Sequence, residues 1–159
     1  MTSTNRPIAM MQGRLSRPAD ERIQFFPKDT WEQEFILASQ LGLNAIEWIF
    51  EEPYQENPLW QDTGRARIKQ TIADTGVKVY NICGGYFLQH PFVRVTDGER
   101  EQSIKILKKL IGFSRDIGAS SIMIPILEKA ESRSDEEMQI VAGALKTLWP
   151  AVEQSGLNL

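Results

Sequence analysis

Residues 154–159, Gln154-Ser155-Gly156-Leu157-Asn158-Leu159 ("QSGLNL"), hold two signals in six positions. The glycine closes a helical pattern, because a residue without Cβ adopts the left-handed conformation that ends a helix at no steric cost. The two leucines around an asparagine then read as the first residues of a strand. The same helix, glycine, strand order occurs three more times, in residues 36–50 ("ILASQLGLNAIEWIF"), 70–84 ("QTIADTGVKVYNICG") and 111–127 ("IGFSRDIGASSIMIPIL"). The glycines are Gly42, Gly76, Gly118 and Gly156, spaced 34, 42 and 38 residues apart. A repeat of this length marks one strand–helix unit recurring along the chain.

Local signals agree with that division. Asp29 with Glu32, and Ser134 with Glu137, have the spacing of a capping box and predict helix starts. Between Glu99 and Ile117, Ile104, Ile106, Leu107, Leu110, Ile111, Phe113 and Ile117 fall at helical spacing and predict one long amphipathic helix. Pro150 interrupts the helical run "ALKTLWPAVEQ" and predicts a kink or a restart. The strand candidates "NAIEWIF", "VKVYNI" and "SSIMIPIL" are nearly continuous in apolar character, as in a parallel sheet covered by helices. A first strand starts at Pro7, in "PIAMMQGRLS".

Alternating strands and helices suit an open doubly wound sheet or an α/β barrel. An open five-stranded sheet needs a last helix to cover a face, whereas this pattern stops inside its fifth strand. Eight such units would come to about 300 residues, within the usual range of a (β/α)8 TIM barrel. The expectation is therefore that residues 1–159 form the N-terminal portion of one TIM-barrel domain, about four βα units and the start of strand five. Unpaired edge strands and an uncovered interior would make such a segment poorly stable alone and allow a homo-oligomer.

Composition bounds the partners. The chain is 42% hydrophobic and 25% charged with a net charge of −3, which supplies no basic footprint for nucleic acid or an anionic membrane surface. No apolar run approaches a membrane span, and Met1 to Arg6 do not read as a secretion signal, so a cytoplasmic location is expected. With a single cysteine, Cys83, neither an intrachain disulfide nor a cysteine-based zinc site is expected.

The ordered series "MQGRLS", "LGLNAIEW", "TGVKVYNICGGYF", "IGASSIMIPILEK" and "SGLNL" resembles the sugar phosphate isomerase/epimerase family of xylose-isomerase-like TIM barrels. The resemblance spans the whole chain and rests on the order of the pieces rather than on any one. It implies a metal-dependent enzyme of carbohydrate metabolism that isomerises or epimerises a ketose or sugar phosphate through an enediolate. It also implies a divalent ion, Mn, Mg or Zn, held by a Glu, an Asp, a His and a second Glu from later strands. None of these ligands would lie in residues 1–159, so the segment alone is expected to be inactive, to hold no metal tightly, and to stop just before the metal site, as a truncated or partial sequence would. Alternatives on the same fold are a non-catalytic small-molecule-binding barrel, an abasic-site endonuclease, which the acidic balance disfavours, and a polyol dehydratase.

In such a barrel the functional groups sit at the C-terminal ends of strands, and alternation selects those pointing inward. Met10, Gln12 and Arg14 are expected to share a face, with Arg14 able to hold a phosphate or carboxylate. Ala45 and Glu47 share the inward face of strand two, while Trp48 faces the helices. An acid inside an apolar strand needs a partner, so Glu47 is a candidate for a substrate hydroxyl or for an internal salt bridge. Asn81 and Cys83 lead strand three into a loop carrying Tyr86 and His90, the only histidine. Glu128 follows strand four. The candidate substrate-binding set is Gln12, Arg14, Glu47, Asn81, Cys83, Tyr86, His90 and Glu128. These residues are expected to gather at one rim; the catalytic acid and base are left unassigned.

Overall fold

A computed structural model describes residues 7–18, 22 and 24–159; the reading of Met1 to Arg6 lies outside these. The chain runs β1 (Ala9–Met11), α1 (Trp31–Gln40), β2 (Ala45–Ile49), α2 (Asp62–Thr75), β3 (Lys78–Cys83), α3 (Tyr86–Gln89), α4 (Asp97–Asp116), β4 (Ser121–Met123), α5 (Asp135–Lys146) and α6 (Trp149–Ser155). Single 3-10 turns at Tyr54–Glu56, Pro58–Trp60 and Glu128–Ala130 shape the loops after β2 and β4.

The four strands are parallel and lie in the order β1-β2-β3-β4. Asn158 adds a fifth position through a parallel bridge to Ser121, with Ile122 N–H donating to Asn158 O at 2.9 Å and Asn158 N–H to Ser120 O at 3.1 Å. Strand order that never reverses separates a barrel from a doubly wound sheet. Right-handed crossovers in one direction leave the crossover helices on the same face.

That face holds the core. Ile46, Trp48, Phe50, Val79, Ile82 and Ile122 from the strands pack with Trp31 and Phe35 of α1, Ile68 of α2, and Ile106, Leu107, Leu110 and Ile111 of α4. Trp48 is fully buried, as its strand parity predicts, and meets Trp31 edge-on with ring centroids 5.3 Å apart. Its indole N–H donates to Asn57 Oδ1 at 3.0 Å, and Asn57 Nδ2 donates to Ile49 O at 2.9 Å, so the polar atoms in this aromatic packing are paired. Arg65, also buried, donates to Leu59 O and Asp116 and stacks 4.0 Å from the Phe113 ring centroid, joining α2 to α4.

Gly42, Gly76, Gly118 and Gly156 all have positive φ, from 72° to 79°, at helix ends, as the repeat predicts. The chain also restarts at Pro150, which sits in the first turn of α6. Ser134 caps α5, accepting from Glu137 N–H at 3.2 Å. The capping box expected at Asp29 and Glu32 is corrected. Thr30 is the residue before α1, and the Glu32 carboxylate reaches across to Arg67 of α2, at 2.7 and 3.1 Å. A full capping box stands instead at Thr96 and Glu99, opening α4. None of the helices in the described residues is long and apolar enough to cross a membrane.

Candidate functional site

The register of the strands decides which residues share the face opposite the helices. Met11 lies level with Glu47, Glu47 with Asn81, and Asn81 with Ser121; one layer further on, Ile49, Cys83 and Met123 are level. The shared face expected for Met10, Gln12 and Arg14 is therefore corrected: Met11 occupies the inward level and β1 ends there. Alternation stops because Gly13 turns the chain with φ 86°, at a place where a Cβ would lie 2.8 Å from Phe25 O. A one-residue register shift between Ile46 and Glu47 makes Tyr80 the extra residue of β3 and leaves its ring 54% exposed.

Three side chains form a hydrogen-bonded row across this face. Ser121 Oγ donates to Asn81 Oδ1 at 2.7 Å, and Asn81 Nδ2 donates to Glu47 Oε1 at 2.6 Å. The hydroxyl orients the Asn81 amide, and the amide in turn donates to one oxygen of the Glu47 carboxyl group, leaving the second oxygen to accept from elsewhere. All three are half-buried, and their neighbours in register are Met11, Ile49, Cys83 and Met123. Burial pushes the Cys83 thiol up to about 11, with the charges of Glu47 and Glu51 adding to it. At neutral pH it is a protonated wall, not a nucleophile.

The strand ends carry a second cluster. His90 stacks on Tyr86 with ring centroids 4.2 Å apart and 17° between planes, and its Nε2 lies 3.0 Å from Glu52 Oε1. Burial, then the negative charge of Glu52 and the neighbouring Tyr54, push the Tyr86 phenol up to about 12, so its hydroxyl stays a donor. Ser103 Oγ donates to His90 O at 3.0 Å and holds the loop on α4. Glu51 accepts from Phe26 N–H at 2.8 Å.

Of the eight candidates, Glu47 and Asn81 touch directly, with Cys83 one layer above, and Tyr86 touches His90. Gln12 is fully buried; its Oε1 accepts from Ile49 N–H at 2.8 Å, extending the β1–β2 ladder, while its Nε2 has no partner among the described residues. Arg14 is exposed on the turn after β1, and Glu128 is exposed in the turn after β4 with φ 54°.

Two residues that sequence reasoning passed over matter here. Ser121 completes the polar row, and only the register reveals it. Glu34 is buried in α1 and accepts from Gly13 N–H at 3.0 Å and Leu15 N–H at 3.1 Å, fixing the turn that carries Arg14. Burial raises its pKa against the lowering effect of those amides. The signal was present: Trp31, Glu34, Phe35 and Ala38 lie at i, i+3, i+4 and i+7, which places an acid on the buried stripe.

Among the described residues no three His, Cys, Asp or Glu side chains cluster to hold a metal ion. These residues do not by themselves make a metal site.

The profile of the xylose isomerase-like TIM barrel family matches residues 35–159. A curated relative, L-ribulose-5-phosphate 3-epimerase UlaE of Shigella flexneri serotype 5b, is 28% identical over 98 residues, covering 60% of this chain and 34% of its own length. Among solved structures, D-psicose 3-epimerase from Clostridium cellulolyticum H10 with D-tagatose superposes with a TM-score of 0.71 at 9% identity, over 96% of this chain and 50% of its own. A xylose isomerase-like TIM barrel protein from Mycobacterium smegmatis in complex with magnesium gives a TM-score of 0.61 at 13% identity, over 95% of this chain and 53% of its own. This chain thus spans a third to a half of the length of the proteins it matches. At such identities the solved structures establish the fold alone. With a sequential parallel sheet, helices on one face and the family profile across most of its length, the chain belongs to the xylose isomerase-like TIM barrel family.

Proposed function

We propose that this chain supplies four βα units of an epimerase or isomerase acting on a ketose or ketose phosphate, with Glu47 accepting a hydrogen bond from a substrate hydroxyl. The row Ser121–Asn81–Glu47 carries this reading. A carboxyl group held on one oxygen by an amide, on a face otherwise lined largely by Met, Ile and Cys, suits recognition of polyol hydroxyls. Epimerisation takes a proton from a carbon beside a carbonyl and returns it to the other face. Glu47 and Asn81 would orient the neighbouring hydroxyls, while Cys83 and Tyr86, both protonated at neutral pH, would supply wall and donor. The kinship with a sugar-phosphate 3-epimerase supports the reaction class.

The resemblance also implies a divalent ion. The described residues do not fit one, so its ligands would come from polypeptide beyond them. The test uses a polypeptide completing all eight units, incubated in D2O with free and phosphorylated ketoses. Proton NMR should show deuterium entering at the carbon beside the carbonyl, lost with chelator, and Glu47→Gln should raise KM by about tenfold or more. Absence of exchange with every ketose and ketose phosphate overturns the proposal; exchange unchanged by chelator overturns the metal requirement.

A further inference from the structure

The loops after β3 and β4 enclose a groove of about 310 Å³ whose apolar walls are Pro91, Val93 and Val95. Arg94, Lys129 and Arg133 also line it, and among the described residues no carboxylate side chain does. The charged side chains of this lining are thus all cationic among the described residues, in a chain of net charge −3. Both loops leave the C-terminal edge of the parallel sheet, the end at which this barrel class places its ligands.

The three cations are not equivalent. Arg94 is committed to structure: its guanidinium donates to Lys129 O at 2.7 Å, to Glu131 O at 2.8 Å and to the Glu137 carboxylate, and its backbone is held at φ 54°. It latches the β4 loop against the β3 loop and so sets the shape of the groove. Glu137, neutralised there, also accepts from Arg133 N–H and is held below the usual carboxylate range. Among the described residues, Lys129 Nζ meets only the neutral Gln89 Oε1, at 3.1 Å, and Arg133 Nε is 3.8 Å from Glu131 Oε2, a distance at which an exposed pair is worth little. Two cations therefore stand ready for an external anion, in a groove shaped by a third.

We infer that this groove binds the phosphate of a phosphorylated sugar through Lys129 and Arg133. The inference rests on the epimerase reading for the sugar, but the anion site can be examined without turnover. A phosphate dianion matches two cations in charge and can take a bidentate guanidinium together with an ammonium.

The experiment titrates inorganic phosphate into the full ¹⁵N-labelled polypeptide at constant ionic strength and follows amide shifts. Shifts confined to residues 89–95 and 128–133 are expected, with the double variant Lys129→Met, Arg133→Gln binding at least about tenfold more weakly. Lys129→Arg should keep the affinity within about threefold, and Lys108→Gln, on the exposed side of α4, should leave it unchanged. Matching thermal unfolding of the variants confirms that the exposed substitutions leave the fold intact. No shift in these loops, or a double variant that titrates like the parent, overturns the inference. Acetate binding as tightly as phosphate also overturns it, in favour of a carboxylate-bearing sugar. Phosphate binding here without any ketose exchange overturns the epimerase reading and leaves the anion site standing. Ketose exchange beside a groove blind to phosphate overturns the anion site alone.

Discussion

The two faces of the sheet come from the same strands and obey different rules. Toward the helices, Trp48, Phe50, Ile46 and Ile82 are almost completely buried, and the one indole N–H among them is paired. On the opposite face, level for level, stand Glu47, Asn81 and Ser121, half-buried and bonded to one another, with Tyr80 and Met123 exposed nearby. Apolar surface removed from water holds the first face together, whereas hydrogen-bond geometry organises the second. The apolar core and the polar row are thus separated by a single residue step along each strand. The largest test of that separation is Trp48→Ala. It deletes a buried indole touching Trp31, Phe35 and Phe26 and strips Asn57 of a donor. Urea unfolding should show a loss of about 3–5 kcal/mol. A loss under about 1 kcal/mol would mean that the helix-side face is not the source of stability.

A smaller effect is expected at Glu34, where the division is less clean because an acid sits on the buried stripe of α1. Glu34→Ala would leave the N–H groups of Gly13 and Leu15 without their acceptor, and a cost of about 1–3 kcal/mol in urea unfolding is expected. Its pH signature is distinctive. A carboxyl whose pKa is raised by folding binds its proton more tightly in the native state. The stabilisation that results is complete below the ordinary value of 4.5 and is lost as pH rises through the raised one. The stability of the parent should fall over that window relative to Glu34→Gln, measured by urea unfolding at a series of pH values. Curves that stay parallel would show that Glu34 ionises in the folded chain as it does in the unfolded one.

The helix-side face was legible in the sequence and the opposite face only in part. Glycine spacing located the helix ends, and strand parity placed Trp48 against the helices, because both depend on local backbone chemistry. Glu47 stood out as an acid in an apolar strand. Its partners did not: the Glu47–Asn81 pair depends on the shift that makes Tyr80 an extra residue, and Ser121 enters through a register that neither strand encodes alone. Gln12 was assigned by alternation to a strand that had already ended at Met11. The place of Lys129 in a groove with Arg133 follows from Arg94, which sits 35 residues earlier and binds the Lys129 carbonyl.

The smallest expected effect lies at the end of the polar row. Ser121→Ala removes one hydroxyl donor from Asn81 Oδ1 and leaves the Asn81 to Glu47 bond in place. Ser121 is only half-buried, so the oxygen it abandons can be rehydrated, and the net cost should be about 1 kcal/mol or less. The same face should respond more strongly in recognition than in stability, because the Asn81 amide loses the bond that fixes its rotamer and with it the aim of Nδ2 at Glu47. Urea unfolding of Ser121→Ala beside Trp48→Ala, with side-chain amide NMR of Asn81 in both, separates the two quantities. Ser121→Ala should keep the global stability and broaden or shift the Asn81 amide signals, whereas Trp48→Ala should lower stability while the Asn81 signals of its folded fraction stay in place. If Ser121→Ala unfolds the chain as readily as Trp48→Ala does, the polar row is part of the structural core, and the assignment of this face to ligand recognition fails with it.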